Sequence, residues 1–218
     1  MPQPARGRRA YHHGDLRRAL VAAATAQLDR QGPLGVTLRG AARAAGVSQA
    51  APYRHFASKE ALLAAIAENA FRALRRACEA AARATAARDP ATRLDAVATA
   101  YVRFALGHPA RYRLMWAPRP RGRDYPDLQT AASHAGFALG EVLTNWEAPA
   151  ETSGERFVER LFVVWSLLHG LAGLLLDEQL PRDVVRIVPT DALVQTAMRV
   201  LREGILAPRS SSSPRRSR

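Results

Sequence analysis

The amino-acid sequence predicts an all-α protein. Apolar residues recur at the three- and four-residue spacing of amphipathic helices along most of the chain, and no segment shows the alternating pattern of a strand. Glycine, proline and capping residues interrupt these segments where helices would end. The chain has 218 residues and is rich in alanine, leucine and arginine, which fits one large or two modest soluble helical domains.

Three helices are predicted before residue 57. The first has four apolar residues on one face, Leu16, Leu20, Ala24 and Leu28. Thr37 is a good N-cap for the second, whose apolar face consists of Leu38, Ala41, Ala42 and Ala45. Gly46 suits the left-handed conformation at which helices commonly end. Ser48 is expected to cap a third helix of about seven residues, with Pro52 near its start.

Residues 37–56 are therefore predicted to form a helix-turn-helix, the motif that places a recognition helix in the DNA major groove. Ser48, Gln49, Ala50 and Ala51 would be its leading edge. The Gln49 amide can donate and accept in one bidentate contact, as adenine requires. The two alanines let the backbone approach closely, and a methyl group can touch thymine.

The far end of this segment carries hydrogen-bond donors suited to phosphate, on Tyr53, Arg54 and His55. Lys59 follows Ser58, a predicted N-cap, and an ammonium beside the free N–H groups of a helix start favours an anion. The alternative interpretation is an ordinary helix pair in which Tyr53 and the aromatic at position 56 are core residues.

The boundaries of the remaining helices are predicted from capping residues and helix-breaking residues. Asp89-Pro90 and His108-Pro109 are typical helix starts, since proline lacks the N–H that the first turn leaves unpaired. Apolar periodicity gives Leu62, Ile66, Ala70 and Leu74 a shared face. The predicted helices cover residues 58–87, 90–107, 109–116, 127–146, 155–180 and 191–206. A proline-rich loop at 117–125 and a connector at 148–154 separate them.

Three segments together closely resemble the DNA-binding domain of TetR-family transcriptional regulators. They are residues 11–16 (YHHGDL), 38–56 (ending APYRHF) and 58–63 (SKEALL). The resemblance covers residues 11–75, about a third of the chain. It implies a three-helix helix-turn-helix domain at 11–75, with 15–31 as its first helix. A six-helix ligand-binding and dimerisation domain would follow at 76–207, between disordered basic tails at 1–10 and 208–218.

The resemblance also implies which residues contact double-stranded operator DNA. The family's contacts fall on Thr37, Gln49, Ala50, Tyr53, His55 and Lys59. Side-chain chemistry adds Arg39, Ser48 and Arg54, because guanidinium and hydroxyl groups donate readily to phosphate.

A homodimer is expected through residues 155–180 and 191–206. The first of these helices is apolar around most of its circumference between residues 157 and 176, more than one domain face can bury. The resemblance implies a four-helix bundle from two chains, and Gly170 and Gly173 would allow close helix approach. A membrane span is the weaker alternative, because residues 161–176 are too few and contain His169. We expect a buried bundle helix there and no membrane.

Trp165, His169 and Gly170 resemble the Trp-x-x-x-His-Gly pattern of one C-terminal class of these regulators. Trp165 and His169 share a helix face and would line a pocket for a small-molecule effector. Other candidate walls are Tyr101, Phe104, Met115, Trp116, Phe137 and Trp146. The alternative is that each of these side chains packs in a core or an interface.

Net charge and cysteine content narrow the functional class of the protein. The net charge of +13 fits a polyanion partner, although all the basic residues but Lys59 are arginine, as a genome-wide coding bias would also produce. Residues 1–60 carry ten basic and three acidic residues. Cys78 is the only cysteine, which fits a reducing cytoplasm and a structural thiol. His12, His13 and Asp15 match the family pattern better than a metal site, and no catalytic or phosphate-loop motif is present.

These observations predict a dimeric regulator that is not an enzyme and needs no cofactor. The expected form is a repressor that leaves a palindromic operator when an effector binds, although the sequence does not distinguish a repressor from an activator. The alternatives are a sequence-independent nucleoid-type DNA binder, favoured by the arginine charge, and a small-molecule binding protein with a vestigial DNA domain.

Overall fold

The structure, a computed structural model, describes residues 13–117, 125–144, 154–179, 183 and 187–204. Within them the α-helices are α1 (His13–Gly35), α2 (Leu38–Ala44), α3 (Lys59–Ala84), α4 (Pro90–Gly107), α5 (Pro109–Trp116), α6 (Pro126–Thr144), α7 (Gly154–Leu176) and α8 (Thr190–Gly204). A 3-10 helix, Ala51–Arg54, lies between α2 and α3. No strand occurs in these ranges, and the all-α prediction is confirmed.

Some predictions fall outside the described residues. They concern the tails at 1–10 and 208–218, most of the 117–125 loop, the 148–154 connector up to residue 153, Trp146, and residues 180, 205 and 206 at predicted helix ends.

The chain divides into two compact units. Residues 1–73 and 108–135 form the first, and residues 74–107 and 136–218 form the second. Helices α3 and α6 each run from one unit into the other. Residues 108–135 belong to the predicted C-terminal domain, whereas in the structure α5 packs on α1, where Arg111 and Asp29 form a bidentate ion pair. The functional limits 11–75 and 76–207 stay a prediction.

The core of the first unit is built from the predicted apolar faces. Leu20, Ala24 and Leu28 of α1 are completely buried, as are Ala41 and Ala42 of α2. Further buried side chains come from the end of the recognition segment and from α3, namely Phe56, Leu62, Ile66 and Ala70. These buried side chains come from α1, α2, the recognition segment and α3 within one compact unit, so the outer face of the turn is fixed by an apolar core.

The turn after α2 has the predicted capping geometry. The Thr37 hydroxyl accepts a hydrogen bond from the Gly40 N–H at 3.0 Å and caps the start of α2. At the other end Gly46 adopts φ +69°. The Gly46 N–H donates to the Arg43 carbonyl at 3.2 Å and the Val47 N–H to the Ala42 carbonyl at 3.0 Å, which is a Schellman motif.

The predicted third helix is wrong in type and in its starting point. Instead of an α-helix beginning at Ser48, the structure has the four-residue 3-10 helix Ala51–Arg54, and no side chain caps its start. Pro52 explains the difference, because it has no N–H and its ring would clash with the Ser48 carbonyl in an α-helix. That carbonyl accepts from the Ala51 N–H at 3.0 Å instead.

Gly46→Ala is expected to destabilise the first unit by about 1–2 kcal/mol, because an L-residue with a side chain pays a conformational cost in the left-handed region. No heavy atom lies within 4 Å of an ideal Cβ at Gly46, so the cost is one of backbone conformation and not of collision. Urea unfolding measures it. Gly136→Ala in α6 is the matched control, since its Cβ also meets open space, and it should be neutral or stabilising. Equal losses of unfolding free energy in both variants would contradict the left-handed conformation assigned to Gly46.

In the second unit, α4 packs against α7 and α8. Val97, Tyr101, Val164, Leu168 and Met198 are among its buried side chains. Two ion pairs join α4 to α8, Arg103 with Asp191 and Arg202 with Asp95. This packing buries one face of each helix.

Two helices end earlier than predicted. Helix α3 ends at Ala84 and not at residue 87. Helix α7 ends at Leu176 and not at residue 180, because Glu178 adopts φ 50° and the Gln179 N–H donates to the Leu174 carbonyl at 3.0 Å. That pairing is the helix-ending arrangement seen after α2, here without a glycine.

Candidate functional site

The outer face of the helix-turn-helix exposes most of the residues that the sequence predicts to contact DNA. The exposed residues are Thr37, Arg39, Ser48, Gln49, Ala50, Tyr53 and Arg54, while His55 and Lys59 are half-buried. Tyr53 is 54% exposed and Phe56 only 2%, so the alternative that both are core aromatics holds for Phe56 alone. The structure brings the nine candidates together on two adjoining segments and the start of α3, and their DNA contacts stay a prediction.

A buried amide fixes the start of this surface. Gln27 of α1 is buried, and its side-chain carbonyl accepts from the Thr37 N–H at 3.1 Å. A Cβ at Gly40 would lie 2.8 Å from the Gln27 amide nitrogen and 2.7 Å from the Thr37 hydroxyl. The sequence analysis missed both residues, because a polar residue on an apolar helix face and a glycine inside a helix gain meaning only when the two helices are seen to touch.

Lys59 is held at the start of α3 before any DNA binds. Its ammonium donates to the Leu34 carbonyl at 3.0 Å. The Ser58 hydroxyl accepts from the Ala61 N–H at 3.2 Å, which confirms the predicted cap. An ammonium has three donors, so the contact with Leu34 leaves capacity for a phosphate oxygen.

The surface also carries cations that the fold does not neutralise. In the part of the chain that the structure describes, the guanidinium groups of Arg39, Arg43 and Arg54 have no carboxylate within ion-pairing distance. Elsewhere Arg103 and Arg111 are paired with aspartates. Unpaired arginines around an exposed glutamine form a surface suited to a phosphate backbone and a base edge.

Three of the predicted effector-pocket residues meet in the second unit. The Tyr101 hydroxyl lies 3.4 Å from Nδ1 of His169, within hydrogen-bonding distance, with the donor set by the imidazole tautomer. The ring centroids of Trp165 and His169 are 5.7 Å apart. Phe162 packs edge-on against Trp165 at 5.7 Å. Aromatic faces and one imidazole can bind an aromatic or apolar molecule that also offers a hydrogen bond.

The other pocket candidates are dispersed. Phe104 is buried on α4, and Phe137 is 59% exposed on α6. Met115 and Trp116 belong to the first unit, where the Trp116 ring meets Phe71 edge-on at 5.1 Å. Neither unit therefore contains the whole set, and a pocket formed by all of them stays a prediction.

Burial lowers the pKa of the His169 imidazole below its ordinary value of 6.5. A histidine whose folded pKa is lowered stabilises the fold above the unfolded pKa, and that contribution is lost as the pH falls below it. We expect the thermal midpoint to drop between pH 7.5 and pH 5, and His169→Gln to flatten this dependence. Identical profiles for wild type and His169→Gln would contradict the prediction.

Helix α7 presents an apolar stripe that the described part of the chain leaves exposed. Val158, Phe162, Val163 and Leu174 are exposed large apolar residues on it, and Val200 is exposed on α8. Nothing lies within 4 Å of an ideal Cβ at Gly170 or Gly173. The expected buried bundle helix is thus only partly buried within one chain, at Val164, Leu168 and Ala172.

By length and composition α7 is also long and apolar enough to cross a membrane. It is the one such helix among the described residues. A bundle helix of a soluble protein that packs on a partner chain has the same length and composition.

Cys78 is buried on α3, and burial raises the pKa of its thiol to about 12, so it is a packed thiol and not a reactive one. Among the described residues no group of three histidine, cysteine, aspartate or glutamate side chains is placed to bind a metal ion.

Two family profiles match the chain. Residues 20–66 match the profile described as bacterial regulatory proteins, tetR family. Residues 94–201 match the profile described as tetracyclin repressor-like, C-terminal domain. No curated protein matches the chain significantly. The first match contains the helix-turn-helix, and the second contains α7 with Trp165 and His169.

Solved structures share the fold over most of its length. A protein with unknown function from Rhodococcus sp. RHA1 is 32% identical, with a TM-score of 0.73 over 90% of this chain and 98% of that one. A TetR-family transcriptional regulator from Bordetella parapertussis 12822 is 17% identical, with a TM-score of 0.62 over 91% and 100%. A TetR variant from Acinetobacter baumannii AYE, in complex with minocycline, is 19% identical, with a TM-score of 0.56 over 88% and 97%.

Proposed function

Since the chain belongs to the TetR family of bacterial transcriptional regulators, we propose that it is a dimeric repressor that a small molecule releases from its operator. Regulators of this family bind DNA and are generally not enzymes. The observation that carries the proposal is the exposed Gln49–Ala50 edge, held on a packed scaffold by the buried Pro52 and Phe56. A DNA-bound regulator of this kind works in the cytoplasm.

We propose that the Gln49–Ala50 edge recognises bases and that the residues around it bind phosphates. Gln49 would read an adenine through two hydrogen bonds, and Ala50 would touch a thymine methyl group. Thr37, Arg39, Tyr53, Arg54, His55 and Lys59 would fix the register by binding the backbone on both sides of the groove. The hydroxyl of Ser48 can serve either role.

Dimerisation is proposed through the apolar stripe of α7 together with α8. Four exposed large apolar residues on one side of a helix are more than a soluble monomer usually presents. The open space beside Gly170 and Gly173 would admit a second helix at close range. A two-fold dimer would set two recognition segments about 34 Å apart, one turn of DNA, so the operator should be a palindrome.

The effector is proposed to bind beside Tyr101, Trp165 and His169. The Acinetobacter neighbour is in complex with minocycline, which supports a small-molecule effector for a protein of this fold. Helix α3 carries Lys59 at its first residue and continues into the second unit, so a tilt of α3 would move the DNA contacts. A coupling of about 1–3 kcal/mol would change operator affinity 5- to 150-fold.

The test is selection of duplexes from a random library by the purified protein, followed by binding titrations at 0.15 M salt. We expect a palindromic consensus and an affinity for it at least 10³-fold above that for a scrambled duplex. Equal affinity for both duplexes would instead indicate a nucleoid-type binder. No binding to either duplex would leave a small-molecule binding protein, and either result overturns the proposal.

A further inference from the structure

We propose that Arg17, which lies outside the DNA-contact set of the family resemblance, binds a DNA phosphate at the edge of the recognition segment. The inference rests on the proposed DNA binding and adds a contact from α1, an element without any predicted DNA contact. The observation behind it is a side-chain pair, the Arg17 guanidinium stacked on the Phe56 ring.

The Arg17–Phe56 pair fixes a positive charge at one place. The guanidinium carbon lies 5.4 Å from the centroid of the Phe56 ring, within the range of a cation–π contact. Phe56 is 2% exposed, so its ring is held rigidly by the core. It directly follows His55, one of the predicted DNA contacts. Arg17 remains exposed above the ring. The core therefore positions an accessible cation beside the end of the recognition segment.

Stacking leaves the guanidinium able to bind an anion. A ring contacts the flat face of the guanidinium, whereas its N–H groups point outward in the plane and match the oxygens of a phosphate. Within the described residues, no carboxylate lies within ion-pairing distance of Arg17, in contrast to Arg111 on α5, which is paired with Asp29. The fold thus orients Arg17 without neutralising it.

The position of Arg17 at the end of the recognition segment predicts that the anion it binds is a DNA phosphate. When a recognition segment lies in the major groove, phosphates line both walls of the groove, and a long side chain at the end of the segment reaches one of them. Pre-orientation by the ring reduces the side-chain entropy that a free arginine loses on binding. The competing role is structural, in which Arg17 merely covers the Phe56 ring.

The salt dependence of DNA binding separates these roles. The probes are a duplex selected from a random library by the wild-type protein and a scrambled duplex of equal length, titrated from 0.05 to 0.3 M salt. Removing one phosphate contact lowers the slope of log affinity against log salt by about 0.9. A dimer places two copies of Arg17 on one duplex. Arg17→Ala should therefore reduce the magnitude of this slope by about 1.8 and weaken binding about 30-fold at 0.15 M salt.

Arg88→Ala is the matched control, because Arg88 is exposed, belongs to the second unit and carries the same charge. It should leave slope and affinity unchanged. Arg17→Lys keeps the charge without the planar stack, so it should keep the wild-type slope and lose only part of the affinity. An unchanged slope in Arg17→Ala, with only a lowered thermal midpoint, would show a structural role and overturn the inference.

The two proposals fail in different ways. If the wild-type protein binds both duplexes equally, the sequence-specific function fails, yet the slope on the scrambled duplex still tests Arg17. If the wild-type protein prefers its selected duplex and Arg17→Ala keeps the full slope, the function stands and the Arg17 contact is refuted.

Discussion

Gln49→Ala is expected to weaken binding to the selected operator by about 1–3 kcal/mol for each half-site, a factor of 5 to 150. Gln49 is exposed at the leading edge of the recognition segment, so its truncation removes no buried side chain. The variant should lose preference at one base position in each half-site. Because no charge changes, the salt slope should stay at its wild-type value. Titrations with duplexes substituted singly at each position measure both effects.

Gln129→Ala supplies the control, since Gln129 is an exposed glutamine in the same unit, on α6. It should alter neither affinity nor base preference. Both variants should keep the wild-type thermal midpoint, because surface substitutions of this kind change stability by about 0.5 kcal/mol or less. A Gln49→Ala protein that still discriminates every base would refute direct base recognition by Gln49.

Phe162→Glu is expected to convert the protein to a monomer and to weaken operator binding at least 100-fold. Phe162 is 53% exposed on the apolar stripe of α7, so a carboxylate there is solvated in one chain but would be buried against a partner. Operator affinity falls because the second half-site contact is no longer linked to the first. Light scattering should give a mass near 23.7 kDa and not twice that value.

Phe137→Glu is the matched control, an equally exposed phenylalanine, 59% accessible, that lies on α6 and off the proposed interface. It should remain a dimer. The prediction fails if Phe162→Glu stays dimeric, or if both variants become monomers. Wild-type protein that requires detergent to stay in solution would instead favour a membrane role for α7.

Much of the candidate site could be predicted from the sequence because the interactions that define it are local. Thr37 caps a helix by bonding to a group three residues away, and the helix ends where the Gly46 N–H donates to the Arg43 carbonyl. The same local logic gave the helix starts at Pro90 and Pro109. It failed at Ser48, where the clash made by Pro52 outweighed the preference of serine for an N-cap.

Other features had no local signal. The contacts of Gln27 with Thr37 and of Arg17 with Phe56, and the packing of α5 on α1, join residues far apart in the chain. The exposure of Phe162 likewise depends on which face of α7 the other helices cover. Residue type and spacing specify where a helix begins, ends and carries apolar groups, since those depend on hydrogen bonds within a few residues. Which helices meet, and which side chains stay accessible, follows only from the packing of distant segments into one core.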